Sequence, residues 1–373
     1  MSRQIPMSQP DITDQDIALV VEALKSKSLS MGPMLDRFER SFADYVGAKH
    51  AVAVSSGTAG LHLCIRAGNI GPGDEVVTTP FSFVASANCI LFERAKPVFV
   101  DIDESSMNMD PNLVRAALSA RTRAVLPVHV FGQPCAMNEL VAVCEDRNLM
   151  LIEDACEAIG AEYRGRKVGT FGKAAVFGFY PNKQMTMGEG GVIATDDREW
   201  AELMVSLRNQ GRSEMGTWLH HDRLGFNYRL DEMSAALGIS QLARIEESLR
   251  RRDAVATLYR DRLKSVRGVT MLQPDQTTTR LSWFVMAIRL AGGIDRNVVI
   301  DDLRRHGVPS RTYFSPIHLQ PYFKEQFQYK SGDFPVAERV AKSIIALPFH
   351  SNMPAADVDY VAACLADAVR VAA

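Results

Sequence analysis

Cysteine pairing is the first thing this sequence lacks. Its six cysteines, Cys64, Cys89, Cys135, Cys144, Cys156 and Cys364, are scattered over 373 residues, and no two form a CxxC. That pattern excludes a small disulfide frame and a thiolate zinc site, and it predicts buried, reduced thiols. Excess charge of either sign is missing too: 42 lysines and arginines face 44 acids, a net charge of −2. The balance gives no sign of a nucleic-acid surface. The longest apolar runs, such as Ala174–Phe179, are far too short to cross a bilayer. Residues 1–16 are polar and hold no signal-peptide core. There is no GxxxxGK[ST], and no GxGxxG follows a strand, which leaves triphosphate and Rossmann dinucleotide sites without support. His220 and His221 are adjacent but have no partners at ligand spacing, so no metal site is expected. Repeats and low-complexity segments are also absent.

What is present is an ordinary globular composition. Hydrophobic residues make up 47% and charged residues 23%, enough to build a large core and to exclude wholesale disorder. The length suggests roughly two to three domains. Together these features predict a soluble, cytoplasmic enzyme or binding protein. From Ala51 onward, short apolar runs alternate with amphipathic stretches. The runs Ala51–Val54, Glu75–Thr78, Pro97–Val100, Ala124–Val128, Leu149–Ile152, Ala174–Phe179 and Val192–Thr195 read as strands covered on both faces. Helices are predicted over Thr58–Ala67, Ser82–Phe92, Pro111–Ala120, Met137–Arg147 and Arg198–Arg208. Such alternation predicts an α/β fold with a mostly parallel sheet between helices. An opening helix, Asp14–Ser26, is expected to be capped by Thr13 with Asp16 in its first turn. After Met233 the texture changes. Ser234–Leu263 reads as one long helix, Ser282–Ile288 as a strand, and Val298–His306 and Ala337–Ala346 as helices. A boundary near Ile245 divides a large domain, 1–245, from a smaller one, 246–373.

Three segments carry candidate chemistry. Ser55-Ser56-Gly57-Thr58-Ala59 joins a strand to a helix through small residues, leaving free N–H groups and a positive dipole end where a phosphate can sit. Taken alone, an ordinary helix cap at Ser56 or Thr58 is the plainer reading of that segment. Asp154 ends an apolar strand, where open α/β sheets gather ligands, and would stay ionised facing a cation such as a protonated ring nitrogen. Capping of the next helix by Glu153 or Asp154 is the plain alternative. Lys183 follows Phe177-Gly178-Phe179-Tyr180 and precedes Gly188-Glu189-Gly190-Gly191, in a loop between two strands. Apolar surroundings make a lysine amine a usable nucleophile, whereas most loop lysines are solvated surface charges. The three together are more telling than any one of them.

With these segments in place, the sequence resembles the DegT/DnrJ/EryC1/StrS family of pyridoxal-phosphate-dependent sugar aminotransferases. The likeness runs nearly end to end, through Ile5-Pro6-Met7-Ser8 with Pro10, Ser55–Ala59, Pro80–Ser86, Val128–Gly132, Glu153-Asp154-Ala155, Tyr180–Lys183 with Gly188–Gly191, Gly225–Arg229 and Ala346–His350. The resemblance implies the fold-type-I aminotransferase architecture: a large domain with a mostly parallel seven-stranded sheet and a smaller α+β C-terminal domain. It implies pyridoxal 5'-phosphate as cofactor, with pyridoxamine 5'-phosphate as its alternate form. Lys183 matches the lysine that holds the cofactor covalently, and Asp154 the acid paired with the pyridine nitrogen. Ser56, Gly57 and Thr58 match the phosphate-binding turn, and Phe83 an aromatic stacked on the ring. Asn227 matches an asparagine that reaches the phosphate from a neighbouring subunit, which implies a homodimer with its active sites at the interface. Glu157 stands where many relatives have glutamine or histidine, beside both ring and substrate. Gly178 departs from the family, which often has a phosphate-bonding serine there; a backbone N–H or a water can replace that contact.

The implied reaction is a two-half transfer, from an amino acid taken as L-glutamate to a nucleotide-linked keto sugar. A 4-keto-6-deoxyhexose, as in perosamine synthases, is the expected acceptor. The stretch Arg311–His318 with Tyr322 resembles the family's substrate-proximal segment, and it adds Tyr313 and His318 as substrate candidates, His318 balanced against a histidine bonded within a loop. Arg229 is read either as an anion ligand or as an interface ion-pair residue. A cyclitol ketone or a related non-nucleotide acceptor is the second reading, and a non-catalytic regulator on the same fold the third. Neither nucleic acid nor membrane is an expected partner.

Overall fold

A computed structural model describes residues 4–212, 220–274 and 276–373. Strands β1 (His50–Val54), β2 (Glu75–Thr78), β3 (Lys96–Phe99), β4 (Thr122–Val125) and β5 (Met150–Asp154) come first. A short hairpin, β6 (Glu162–Tyr163) and β7 (Arg166–Lys167), precedes β8 (Ala174–Gly178) and β9 (Gly191–Thr195). The C-terminal part adds β10 (Val269–Met271), β11 (Thr278–Arg280), β12 (Met286–Leu290) and β13 (Ile344–Leu347).

Seven of these strands make one sheet, in the order β1-β9-β8-β5-β4-β2-β3. β9 runs antiparallel to both of its neighbours, and the other four pairings are parallel. β1 therefore points the same way as β8 and β5, and the chain leaves all three at one edge. Strict alternation along the strands then does the placing. Val54, Ile152 and Val176 lie in one apolar cluster on one face of the sheet. Two residues further along each strand come Ser56, Asp154 and Gly178. The intervening Phe177 and Phe179 turn to the opposite face. There they meet Phe42 and Phe38 of the helix Pro33–Val46 edge-on, at centroid separations of 5.1 Å and 6.1 Å. Such tilted aromatic pairs add about 0.5–1.5 kcal/mol each beyond area burial, and they brace the strand that leads into the Lys183 loop.

The helices Asp14–Ser26, Met137–Arg147 and Arg198–Arg208 span the predicted residues. Thr13 and Asp16 form the expected capping box, and Asp16 is buried against the helix Glu232–Ala243. Other boundaries shift, for physical reasons. Ser234–Leu263 is not one helix but two, Glu232–Ala243 and Ile245–Leu263. Between them Arg244 leaves helical geometry (φ −119°, ψ 16°), and its guanidinium pairs with Asp11 and Asp16. The helix expected over Ala337–Ala346 stops at Ser343, because the buried run Ile344–Leu347 joins β12 as β13. The predicted strand at 124–128 ends at Val125, just before Pro127, which has no N–H to give a ladder. Ser82–Phe92 becomes helical only at Ala85, which leaves Ser82 and Phe83 in an irregular wall. Ser282–Phe284, expected in a strand, instead bonds to Gly132 and Phe131.

β10, β12 and β13 form a separate antiparallel sheet, covered by the helices Arg296–Arg305 and Ala355–Ala372. Several hydrogen bonds tie this part to the rest. The N–H of Ile5 donates to the carbonyl of Gly307 and that of Phe349 to Met7, while β11 pairs with β6. No helix of the described residues is long and apolar enough to cross a membrane.

Candidate active site

At the edge where β1, β5 and β8 end lies a cavity of about 500 Å³. Ser56, Gly57 and Thr58 line one side of it, at the N-terminus of the helix Gly57–Ala67. Ser56 Oγ accepts from the N–H of Ala59 at 3.1 Å. The N–H groups of Gly57 and Thr58 remain at the open helix end, where backbone donors and the helix dipole both favour an anion. A Cβ on Gly57 would stand 2.8 Å from Cys156 Sγ, so only glycine fits so close to that thiol.

Asp154 lines the cavity and is 4% exposed. Ser86 Oγ donates to its Oδ2 at 2.7 Å and the N–H of Cys156 to its Oδ1 at 3.1 Å, while Ser82 Oγ lies 2.9 Å from Ser86 Oγ. Both of these partners of the carboxylate are uncharged donors. Lys183 reaches in from the loop after β8, its side chain 15% exposed, with Nζ 3.6 Å from Glu157 Oε1 and 3.9 Å from the centroid of the Phe284 ring. Glu157 is buried, and its Oε2 accepts from the N–H of Phe131 at 2.8 Å. Burial pushes its carboxyl above the usual carboxylate range, although Lys183 opposes the shift. Phe83 stands at the cavity with 62% of its surface exposed, an apolar ring with one side open.

Comparison with known proteins gives the family. The profile of the DegT/DnrJ/EryC1/StrS aminotransferase family matches residues 10–366. The spore coat polysaccharide biosynthesis protein SpsC of Bacillus subtilis is 38% identical over 380 aligned residues, covering 98% of this chain and 97% of its own. The GDP-perosamine synthase of Caulobacter vibrioides is 37% identical, with 97% of each chain covered. Among solved structures, Helicobacter pylori PseC, an aminotransferase of pseudoaminic acid biosynthesis, superposes with a TM-score of 0.94 at 27% identity, over 99% of this chain and 100% of its own. This chain belongs to the DegT/DnrJ/EryC1/StrS aminotransferase family. It is a pyridoxal-phosphate-dependent aminotransferase of the sugar-aminotransferase group.

The residues fit that cofactor by their own chemistry. They offer an open helix end for a phosphate, a buried carboxylate with no cation at bonding distance among the described residues, a lysine amine and an aromatic face. Most of the sequence-predicted site residues meet here: Ser56, Gly57, Thr58, Phe83, Asp154, Glu157, Lys183 and, from the C-terminal part, Tyr313. Asn227 does not. It is exposed, bridged to Asn209, and outside this cavity. His318 is not brought to the cavity either, which corrects its expected place against substrate. It is fully buried, with Nε2 3.0 Å from Glu338 Oε1, and it packs edge-on to Phe334. Tyr322 bonds Asn88, and Arg229 donates to Asn209. At Gly178 a Cβ would meet nothing nearer than Cys156 at 3.4 Å, so the chain omits a side chain that has room.

Sequence reasoning missed Ser82, Ser86, Cys156, Asn182 and Phe284. Ser86 and Asp154 are 68 positions apart. The only local hint was that Ser82 and Ser86 sit four residues apart where a strand gives way to a helix. Phe284 carried no signal at all, since it arrives through the bonds of Ser282 and Phe284 to the Phe131–Gly132 corner.

Proposed function

We propose that this protein transfers an amino group from L-glutamate to a nucleotide-linked keto sugar, of the 4-keto-6-deoxyhexose type, in two alternating halves. One observation carries the reading. An amine, a buried carboxylate and an open helix end surround a single cavity roomy enough for both a flat cofactor and a sugar. Similarity to a GDP-perosamine synthase over almost the whole chain supports the class of acceptor.

When bound, pyridoxal phosphate supplies an electron-withdrawing ring that stabilises negative charge at the donor's α-carbon. The chain's own residues do the rest. Gly57 and Thr58 bind phosphate through backbone N–H groups, with Ser56 fixing the turn. Asp154 holds a proton on the ring nitrogen, which an amide could not do; Ser86 and the N–H of Cys156 keep its oxygens in place. Phe83 covers one face of the ring. Lys183 would hold the cofactor, and its amine would be the base that takes a proton from the donor carbon and returns it to the cofactor carbon within the site, so the gain is largely one of position. Glu157 orients the lysine amine from 3.6 Å. Tyr313, at the cavity wall, faces substrate.

Residues 1–245 form the cofactor-binding part and 246–373 the smaller part that closes it. The protein works as a homodimer. Ile17, Val21 and Leu24 share one face of the first helix and are 54%, 38% and 51% exposed, a stripe that a second copy would cover. Asn227, exposed on its own chain, then serves the neighbour's phosphate site.

The test is incubation with L-glutamate and a panel of nucleotide-linked 3-keto and 4-keto sugars, with 2-oxoglutarate and product mass followed together. The expected result is an amino sugar from a 4-keto substrate and one 2-oxoglutarate per product. Turnover with a cyclitol ketone and none with the sugars would overturn the acceptor assignment.

A further inference from the structure

Arg252 lies on the helix Ile245–Leu263 and is 3% exposed. Among the described residues its hydrogen-bond partners are all uncharged carbonyls. One terminal nitrogen donates to the carbonyl of Lys183 at 3.0 Å, and the other to the carbonyls of Trp283 and Phe284, both at 3.4 Å. The guanidinium also sits 5.3 Å from the centroid of the Phe349 ring. Burial alone pulls it down to about 10. A desolvated cation held only by carbonyls and a ring is costly to keep, and stability alone is a poor reason for it, because apolar residues of the same volume often serve as well.

What its contacts hold in place gives a better reason. One terminal nitrogen fixes the main chain of Lys183. The other fixes Phe284, whose ring packs against the amine of the same lysine at 3.9 Å. One turn earlier on the helix, Ser248 Oγ donates to the carbonyl of Gln184 at 3.1 Å. Asp253 accepts from the indole N–H of Trp283 at 3.1 Å. The amide of Gln184 closes the frame by donating to the carbonyls of Glu157 and Ser282 at 2.6 Å and 3.0 Å. A single helical face thus holds both the root of the lysine and the ring beside its tip.

We propose that Arg252 is a positioning residue for Lys183, setting the direction of its amine through the Lys183 carbonyl and the Phe284 ring. The inference rests on Lys183 being the cofactor lysine. A shift of about 1 Å at a reacting group can cost on the order of a hundredfold in rate, so small losses of alignment should be visible without loss of fold.

The experiment compares Arg252→Met, Arg252→Lys and Ser248→Ala with wild type, each loaded with pyridoxal phosphate. Three quantities are read: visible circular dichroism per bound cofactor, single-turnover rate with L-glutamate, and melting temperature. Arg252→Met should lose most of the visible dichroism and about 10- to 100-fold in rate. Arg252→Lys, which keeps a donor, should recover a large share of both. Ser248→Ala, with its smaller defect, stands in if Arg252→Met does not fold, and should lose about threefold or more in rate at unchanged cofactor content. A purely structural role would lower the melting temperature while leaving dichroism and rate within about twofold in the folded fraction, and that result overturns the proposal. Failure of wild type to hold cofactor on Lys183 would instead overturn the reading beneath it.

Discussion

At the scale of single residues, the site is a carboxylate and an amine held in fixed relation. Asp154 is buried yet open towards the cavity, and Ser86 and the Cys156 N–H fix its two oxygens in place. Hydrogen bonds to charged groups contribute about 1.5–3 kcal/mol, so Ser86→Ala should weaken pyridoxal phosphate binding by about tenfold or more. Fluorescence titration of the apoprotein measures this, and an unchanged affinity would contradict the role given to Ser86. Asp154, Lys183 and the Ser56–Thr58 turn were legible because each sits in a local pattern: a strand end, an aromatic–glycine loop, a strand-to-helix turn. Ser86 and Phe284 were not, because their roles exist only through contacts with residues far away in sequence. Tyr313 and His318 came from the same aromatic stretch and separate in the fold. Tyr313 faces the cavity, while the short turn Ile317–Leu319 carries His318 towards Glu338.

Elements were readable to the extent that their ends carry local chemistry. The capping box at Thr13 and Asp16 and the Asp197 cap give helix starts that need no tertiary information. The break at Arg244 depends on Asp11 and Asp16, more than two hundred residues away, and so no local signal marks it. The corner Val130–Gly132 belongs to the same class. Gly132 has φ +87°, and a Cβ there would lie 1.7 Å from the carbonyl oxygen of Ser282, the segment that delivers Phe284 to the cavity. Left-handed backbone and overpacking each cost about 1–3 kcal/mol. Gly132→Ala is therefore expected to destabilise the fold by at least about 2 kcal/mol and to displace Phe284. Urea unfolding provides the check, and a variant within about 0.5 kcal/mol of wild type would contradict the packing described.

Over the whole molecule, alternation of strand and helix was enough to foresee a mostly parallel sheet, and the family resemblance supplied its seven strands. Alternation could not foresee strand order, nor that β9 would insert antiparallel between β1 and β8, because order is set by which faces find partners. Three buried histidines, His62, His318 and His350, give the fold a pH dependence. Burial holds each below its usual value of 6.5, outweighing Glu93 beside His62 and Glu338 beside His318, while Arg252 adds to the effect at His350. A depressed folded-state value means that the unfolded chain binds protons first. The stability these residues contribute is full above about pH 6.5 and is lost as pH falls through their folded-state values. Melting temperature should therefore drop as pH is lowered from 7 towards 5, and less steeply in His350→Phe. Parallel curves for variant and wild type would contradict this account.

The central claim is that the sheet edge, the Gly57 helix end and the Lys183 loop together build one cofactor site, in which Lys183 is the attachment point. Its most direct test is borohydride treatment of the cofactor-loaded protein, followed by peptide mass mapping. The account predicts a yellow holoprotein and a cofactor-sized mass fixed to the peptide bearing Lys183, absent from Lys183→Arg. A colourless protein, or label on any other lysine, would contradict it.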